Sequence, residues 1–290
     1  MRHDRPSTTA TAVAVARAIA SLPSRRGAPS SDPVAKRFVP RPLGRALHAL
    51  EPLSDRSDAV PLALRLASLG LVDHLGLRTA AIDDAIREAL SSSPSPRQLV
   101  ILGAGLDARA FRLDELRDVR VLEVDHPATQ RWKRRRAERM APRARELRFV
   151  SVDFERQDLG ARLAEEGHDA QEPTLWLWEG VVPYLVRDAT RATLRAAASR
   201  SAPGSRLLVT YGTLQDHLWL ARFAAPVHLG FRVLGEPLRG LLSPDDFHAL
   251  VRETGWTLRS DTGPREWRAH YGWGIEALLQ IEERLVVADH

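Results

Sequence analysis

Gln98-Leu99-Val100-Ile101-Leu102-Gly103-Ala104-Gly105-Leu106-Asp107-Ala108-Arg109 is the stretch from which the rest of the chain can be read. A short apolar run, Leu99 to Leu102, stops abruptly at Gly103-Ala104-Gly105. A buried parallel strand feeds a tight turn in this way in an α/β sheet. Without a Cβ, Gly103 and Gly105 let the backbone turn sharply and let a ligand approach it closely. About twenty residues further on, Val121-Leu122-Glu123-Val124-Asp125 reads as a second buried strand with carboxylates at its end. Strand, glycine turn, helix, strand and acid form half of a nucleotide-binding unit. The plainer alternative is an ordinary strand–helix–strand unit with a fortuitous Gly-x-Gly turn.

Downstream, strand and helix patterns alternate. Strands are expected at 148–152 (ending at Asp153), 174–178 (ending at Glu179), 206–211, 256–260 and 278–287, with helices near 108–115, 127–140, 159–166 and 189–199. Ser243 as cap with Pro244 at the first position starts a further helix. Such alternation implies a mainly parallel sheet with helices on both faces. An apolar, aromatic-containing stretch at 214–242 interrupts it. Upstream, residues 1–94 look helical and separate from the sheet. Helices are expected at 11–22, 32–38, 43–50, 61–75 and 80–90, and Ser91-Ser92-Ser93-Pro94-Ser95-Pro96 breaks the pattern before the first strand.

The chain has 290 residues, of which 44% are hydrophobic and 27% charged, a globular composition with enough apolar surface for a substantial core. It has no cysteine, which removes disulfides and thiolate metal sites and suits a cytoplasmic location. No apolar run approaches the roughly twenty residues needed to span a membrane, and the alanine-rich 10–20 stretch, interrupted by Arg17, reads as a helix rather than a leader. The net charge of +5 is spread along the chain. Its one dense run, Lys133-Arg134-Arg135-Arg136, is expected on a solvated helix face, so neither nucleic acid nor membrane is expected as a partner. The histidines show no metal-ligand spacing, and no metal is expected.

Ligands of an open parallel sheet sit outside the carboxyl ends of its strands. Those ends carry Gly103 and Gly105, Glu123 and Asp125, Asp153, and Glu179. Several carboxylates without a cationic clamp would repel a pyrophosphate. They suit a cationic ligand with ribose hydroxyls and an exocyclic amine, as in S-adenosylmethionine. A nicotinamide dehydrogenase also fits Gly103-x-Gly105-x-x-Ala108 with Glu123 at ribose spacing. Against it, the motif lies far into the chain, and Asp188 stands where a short-chain dehydrogenase would carry a lysine four residues after Tyr184. A cofactor-binding protein without catalysis is a third reading.

Longer motifs narrow these readings. Leu102-Gly103-Ala104-Gly105-Leu106-Asp107-Ala108-Arg109-Ala110-Phe111-Arg112-Leu113, Glu123-Val124-Asp125-His126-Pro127 and Trp178-Glu179-Gly180-Val181-Val182-Pro183-Tyr184-Leu185, supported by Leu77–Asp84 and Val152-Asp153-Phe154, resemble the leucine carboxyl methyltransferase family. The resemblance is to its bacterial branch of S-adenosylmethionine-dependent O-methyltransferases, and it covers roughly residues 32–212. It implies a Rossmann-like class I methyltransferase sheet with helices on both faces. A helical cap at 1–94 would join a methyltransferase domain at 95–290 that carries the 214–242 insertion over the substrate, all in a single globular unit. It further implies that Arg78 holds the methionine carboxylate, Gly103 lines the amino acid end, and Asp125 rather than Glu123 is the ribose acid, although spacing alone favours neither. Asp153 and Phe154 would contact the adenine; the family usually has Asp-Leu there, so Phe154 is a departure. Glu179 would lie beside the methionine portion and Tyr184 would face a small-molecule acceptor, a carboxyl or hydroxyl compound such as a natural product.

Other residues carry readings of their own. Arg109 and Arg112 either serve the ligand or pair with local acids, and Asp107 is expected to cap the helix after the glycine turn. Trp176 and Trp178 are expected to alternate across their strand, so that at most one reaches the crevice. His217, Trp219, Trp267, His270 and Tyr271 are candidates for the acceptor pocket, with His217 or His270 as the base that a hydroxyl acceptor would need.

Overall fold

The structure is a computed structural model that describes residues 8–24, 27–29, 31–152, 157–213, 238–275 and 282–290. Its centre is a seven-stranded sheet built from β1 (Gln98–Leu102), β2 (Arg120–Asp125), β3 (Glu146–Ser151), β4 (Thr174–Trp178), β5 (Arg206–Thr213), β6 (Thr257–Thr262) and β7 (Glu282–Asp289). The strand order is β3-β2-β1-β4-β5-β7-β6. The first five strands are parallel, whereas β7 runs antiparallel to both β5 and β6. Doubly wound nucleotide-binding sheets share the reversal of order between β1 and β4, but in the dinucleotide-binding form a sixth parallel strand follows β5. Here β7 occupies that place. Its N-terminus therefore lies at the carboxyl end of β5, with Glu282 opposite Thr213 and Glu283 opposite Gly212.

The central strands β1, β4 and β5 are buried along their whole length, as covered parallel strands require, whereas the edge strands β3 and β6 are only partly covered. Leu99, Ile101, Val121, Leu175, Leu177, Leu208 and Leu285 pack on one face with Leu77, Ile82 and Ile86 of the helix α5 (Leu71–Leu90). Val100, Leu122, Val124, Trp176, Trp178, Val209 and Tyr211 pack on the other with Leu163, Leu194 and Leu250. Both tryptophans thus lie in the same layer, at 0% and 2% exposure, and neither alternates away from the other. Residues two apart on a strand share a face, so the expectation of opposite sides was wrong. The same parity puts Glu123, Asp125, Glu179 and Glu283 on the α5 side, in line with Val121, Leu177 and Leu285.

Helices α1 (Thr8–Ala20), α2 (Ala35–Phe38), α3 (Arg41–Arg56), α4 (Ala59–Ala67) and α5 precede the sheet, and no strand precedes β1 among the described residues. They are not detached from the sheet, because α5 packs directly on β5 and β7. The expected helices at 61–75 and 80–90 are redrawn. The first breaks at Leu69 (φ 53°) and Gly70 (φ 83°), left-handed conformations that end α4, and α5 then runs unbroken through the expected gap. Gly76 sits inside α5, where an added Cβ would press on the Trp273 ring at 3.1 Å, so this glycine serves packing rather than a turn.

The sheet is completed by short α6 (Arg109–Arg112), α7 (Pro127–Ala137), α8 (Leu159–Glu165), α9 (Arg187–Ser199), α10 (Pro244–Glu253) and α11 (Pro264–Tyr271). Ser243 caps α10 as expected, accepting from Asp246 N–H. Among the described residues no single helix is long and apolar enough to cross a membrane.

The basic run on α7 is not wholly a solvated face. Lys133 is 1% exposed, pairs with the fully buried Glu123 and lies over the Phe38 ring, while Arg136 donates to Val39 O at 2.6 Å. Removing one member of a buried pair strands the other charge, whereas replacing both by apolar groups of similar volume does not. Glu123→Leu should therefore lower the unfolding free energy by about 3–5 kcal/mol, and adding Lys133→Met should recover most of that loss. Urea denaturation of the single and double variants measures both; a double variant as unstable as the sum of its singles would show the pair to be uncoupled.

Candidate functional site

The glycine turn after β1 is anchored to the end of β2. Ala104 N–H donates to Val124 O at 3.0 Å, and Gly105 N–H donates to the Asp125 carboxylate. Gly103 has φ 63°, and a Cβ there would lie 2.5 Å from Val181 Cγ2 on the turn after β4. Only glycine lets these two turns meet. Asp125 is 9% exposed and also accepts from His126 N–H. Burial raises its pKa above the ordinary carboxylate value, and the two backbone bonds only partly oppose that. Glu123, one pleat deeper, is fully buried; desolvation, partly offset by Lys133, pushes its pKa up to about 7. Of the two acids, Asp125 is the one at the strand end with carboxylate lone pairs beyond its backbone bonds.

A connected cluster of buried charges occupies the α5 side of the β1 and β4 ends. Arg109 is 0% exposed and pairs with Asp83 Oδ1 at 2.8 Å, with Glu179 Oε2 at 2.6 Å and with Asp107. Asp107 also accepts from the Arg109 backbone N–H at 2.7 Å, but the cap position of α6 is Ala108, so Asp107 stands one residue before the expected cap. Arg112 contacts Asp83 at 2.7 Å, and Arg17 of α1 lies 3.7 Å from Asp32 and donates to Leu106 O at 2.6 Å. Arg78 of α5 reaches Glu179 Oε1 at 2.7 Å and Glu283 Oε2 at 2.5 Å. Burial disfavours the charged Glu179, but Arg109, Arg78 and Arg17 outweigh it and hold its pKa far below the ordinary range. Glu283 is likewise penalised by burial, yet Arg78 brings its pKa down to about 2.

The sequence-derived candidates divide accordingly. Arg78, Gly103, Gly105, Asp125 and Glu179 come together at the carboxyl ends of β1, β2 and β4, while Glu123 is enclosed beneath them. Tyr184 is half-buried on a 3-10 turn (Val182–Tyr184) just past Glu179, and Arg239 and Gly240 N–H both donate to Pro183 O on that turn, at 2.8 and 3.0 Å. Asp153, Phe154, His217 and Trp219 lie outside the described residues. Trp267 is core and 6.1 Å from the His74 ring, Tyr271 bonds Asp84 at 2.6 Å, and His270 is exposed. Glu283 was missed. Glu282-Glu283 before an apolar run is visible in the sequence, but only the antiparallel direction of β7 brings it to this edge.

Three features fit a ribose-bearing, amino-acid-tailed cofactor. Asp125 presents a fixed carboxylate able to accept from a diol. Arg78 has a buried Nε with no hydrogen-bond partner, and its guanidinium keeps donors beyond the pairs to Glu179 and Glu283. Gly180 (φ 68°) lies beside it, where a Cβ would stand 3.7 Å from Nη1.

Residues 10–198 match the leucine carboxyl methyltransferase family. The chain belongs to this family. Proteins of Streptomyces avermitilis and Streptomyces coelicolor, provisionally named S-adenosyl-L-methionine-dependent methyltransferases, are each 35% identical to it. The first aligns over 95% of this chain and 92% of its own length, the second over 94% and 91%. A crystal structure of a DUF574 family protein from Streptomyces avermitilis superposes with a TM-score of 0.61, covering 98% of this chain and 97% of that one at 15% identity, which is a likeness of fold. The family match ends in α9, so the matched residues include Arg78, Asp125 and Glu179 but not Glu283.

The low pKa values have a thermodynamic consequence. A carboxylate whose folded pKa lies below its unfolded value contributes stability above the unfolded value and loses it as pH falls toward the folded one. For Glu283 that window runs from the ordinary 4.5 down to about 2. Thermal unfolding followed from pH 7 to pH 2.5 should show Glu283→Gln losing less Tm across this window than the unsubstituted chain; parallel curves would exclude the linkage.

Proposed function

We propose that this chain is an S-adenosylmethionine-dependent O-methyltransferase acting on a carboxyl or hydroxyl group of a small molecule. Family membership gives the coarse reaction class, methyl transfer from S-adenosylmethionine. The observation that carries the reading of the site is the arrangement of Asp125, Glu179 and Arg78 around the β1–β4 crevice. In it Asp125 takes the ribose diol, Arg78 the carboxylate of the amino acid tail, and Glu179 lies beside that tail. When bound, the cofactor supplies a methyl group already activated on a sulfonium. The chain's own task is then to position an acceptor oxygen and exclude water.

Tyr184 is our candidate for contact with the acceptor, because its turn follows Glu179 directly and is tied to Arg239 and Gly240. Gly240 is required there, since a Cβ would come within 2.3 Å of the Val182 and Leu185 carbonyl oxygens. Both ends of the 214–237 stretch, Thr213 and residues 238–242, thus stand near the same edge, which supports a role for that stretch in covering a small-molecule acceptor. A carboxylate acceptor is ionised at neutral pH and needs no base, whereas a hydroxyl acceptor does. We place the reaction in the cytoplasm on the absence of cysteine.

Titration calorimetry with S-adenosylmethionine, S-adenosylhomocysteine and NADH tests the cofactor, and transfer of labelled methyl to a panel of carboxylic acids, phenols and alcohols tests the acceptor. Binding of NADH alone would sink the reading. Binding of S-adenosylmethionine with no transfer to any acceptor would favour a cofactor-binding protein without catalysis. Asp125→Ala should weaken S-adenosylmethionine binding by about 10–100-fold, the worth of hydrogen bonds to a charged group. Unchanged affinity would overturn Asp125 as the ribose acid.

A further inference from the structure

Two buried residues on neighbouring strands stand behind Arg78. Glu283 of β7 lies opposite Gly212, so Thr210, two residues earlier on β5, is its diagonal neighbour on the same face of the sheet. Glu283 accepts from Arg78 Nη1 at 2.5 Å, while Glu179 lies 2.7 Å from Arg78 Nη2. One contact leaves a guanidinium free to swing on its long stem, whereas contacts at two nitrogens fix its plane. His74, one turn before Arg78 on α5, approaches the same Glu283 oxygen at 3.4 Å, so that carboxylate is seated against two side chains of one helix. Thr210 is fully buried, and its Oγ1 accepts Gly180 N–H at 2.8 Å. Gly180 (φ 68°) is the residue whose missing Cβ leaves the space beside Arg78 Nη1. Against the cost of burial, Arg78, His74 and the Thr210 hydroxyl favour the charged form of Glu283. The same pair of strands thus holds both borders of that space, the guanidinium through Glu283 and the backbone through Thr210.

We propose that Glu283 and Thr210 are positioning residues for the amino acid end of the cofactor, fixing the Arg78 guanidinium and the Gly180 turn before the ligand arrives. This inference rests on the reading of Arg78 as the group that takes the tail carboxylate. Both residues lie beyond the matched stretch 10–198, so the family match assigns them no role. They act through Arg78 and Gly180 rather than by touching the ligand. Ordering a long side chain and a glycine turn costs entropy, and binding is spared that cost where the folded chain has already ordered them. The tail carries an ammonium and a carboxylate and no net charge, so a charge removed at Glu283 reaches it mainly through the orientation of Arg78. The adenosine end depends on other bonds, those that fix Asp125 at the end of β2. The two positioning residues therefore act on one end of the ligand and not on the other.

The test compares two ligands by calorimetry on the full chain: S-adenosylhomocysteine, and 5′-methylthioadenosine, which keeps the adenosine and the thioether but lacks the amino acid tail. The unsubstituted protein should bind S-adenosylhomocysteine more tightly. Glu283→Gln and Thr210→Val should each weaken S-adenosylhomocysteine by about tenfold, the worth of one well-made hydrogen bond, and leave 5′-methylthioadenosine unchanged. A merely structural role would weaken both ligands in the same proportion, so an unchanged ratio of the two dissociation constants overturns the proposal. Should Glu283→Gln fail to fold, Thr210→Val carries the test, because it keeps the shape of a strand residue and alters no charge. Equal affinity of the unsubstituted protein for the two ligands would remove the Arg78 contact to the tail, and the proposal with it. Binding of neither ligand would remove the S-adenosylmethionine reading itself, an outcome distinct from both.

Discussion

Arg109 is a fully buried guanidinium gripped by Asp83 from α5, Asp107 from the glycine turn and Glu179 from the end of β4. Those partners come from three separate parts of the chain that the sheet and its packing bring side by side. A buried cation tolerates few arrangements, because desolvation must be repaid by close, well-directed carboxylates. Each partner in turn fixes more structure. Asp83 also receives Arg112, and Glu179 also receives Arg78, which carries α5 on to β7 through Glu283. The helices before the sheet are thereby oriented as well as packed. Apolar contact between Ile82, Ile86 and the strands would tolerate a sliding helix, whereas these ion pairs do not.

Strand parity explains why the acids gather on one side. A carboxylate placed two residues beyond an inward Val121 or Leu177 inherits its face, so β2 delivers Glu123 and Asp125, and the end of β4 delivers Glu179, to the layer that holds α5. The depth of each along its strand then separates their roles. Glu123 lies within the sheet and needs Lys133 as an internal counter-ion, while Asp125 reaches the edge, where backbone N–H groups of Gly105 and His126 orient it.

Much of this was legible in residues 98–213. Apolar runs bounded by glycine or acid gave β1, β2 and β4 within a residue or two, because covered parallel strands leave no other pattern. Arg78, Gly103, Gly105, Asp125 and Glu179 could be brought together on paper since each belongs to a contiguous motif. Outside those motifs the signal fails for physical reasons. The break at Leu69-Gly70 depends on left-handed torsions in a leucine-rich stretch that otherwise reads as one helix. The expected helices left a gap at 76–79, yet Gly76 lies inside α5 and admits the Trp273 ring. Lys133 looked solvated because its run is basic, yet a buried glutamate across the layer was waiting for it. Glu283 was unreadable as a site residue because strand direction is a property of the whole sheet, and an antiparallel tail strand presents its beginning where every earlier strand presents its end.

Concentrating charge at the strand ends couples the fold to whatever binds there. The cluster is satisfied unevenly: Arg109 Nη2, Arg78 Nε and Arg112 Nε are buried without hydrogen-bond partners. Of these three, Arg78 borders the space beside Gly180, so its guanidinium is the one that the proposed amino acid tail would meet. A ligand present at a hundred times its dissociation constant adds about 2.7 kcal/mol to stability, a large share of the margin of any domain. Closely packed apolar layers on both sides of the sheet hold the strand ends in place, so the charged groups they present keep the arrangement that a ligand would meet.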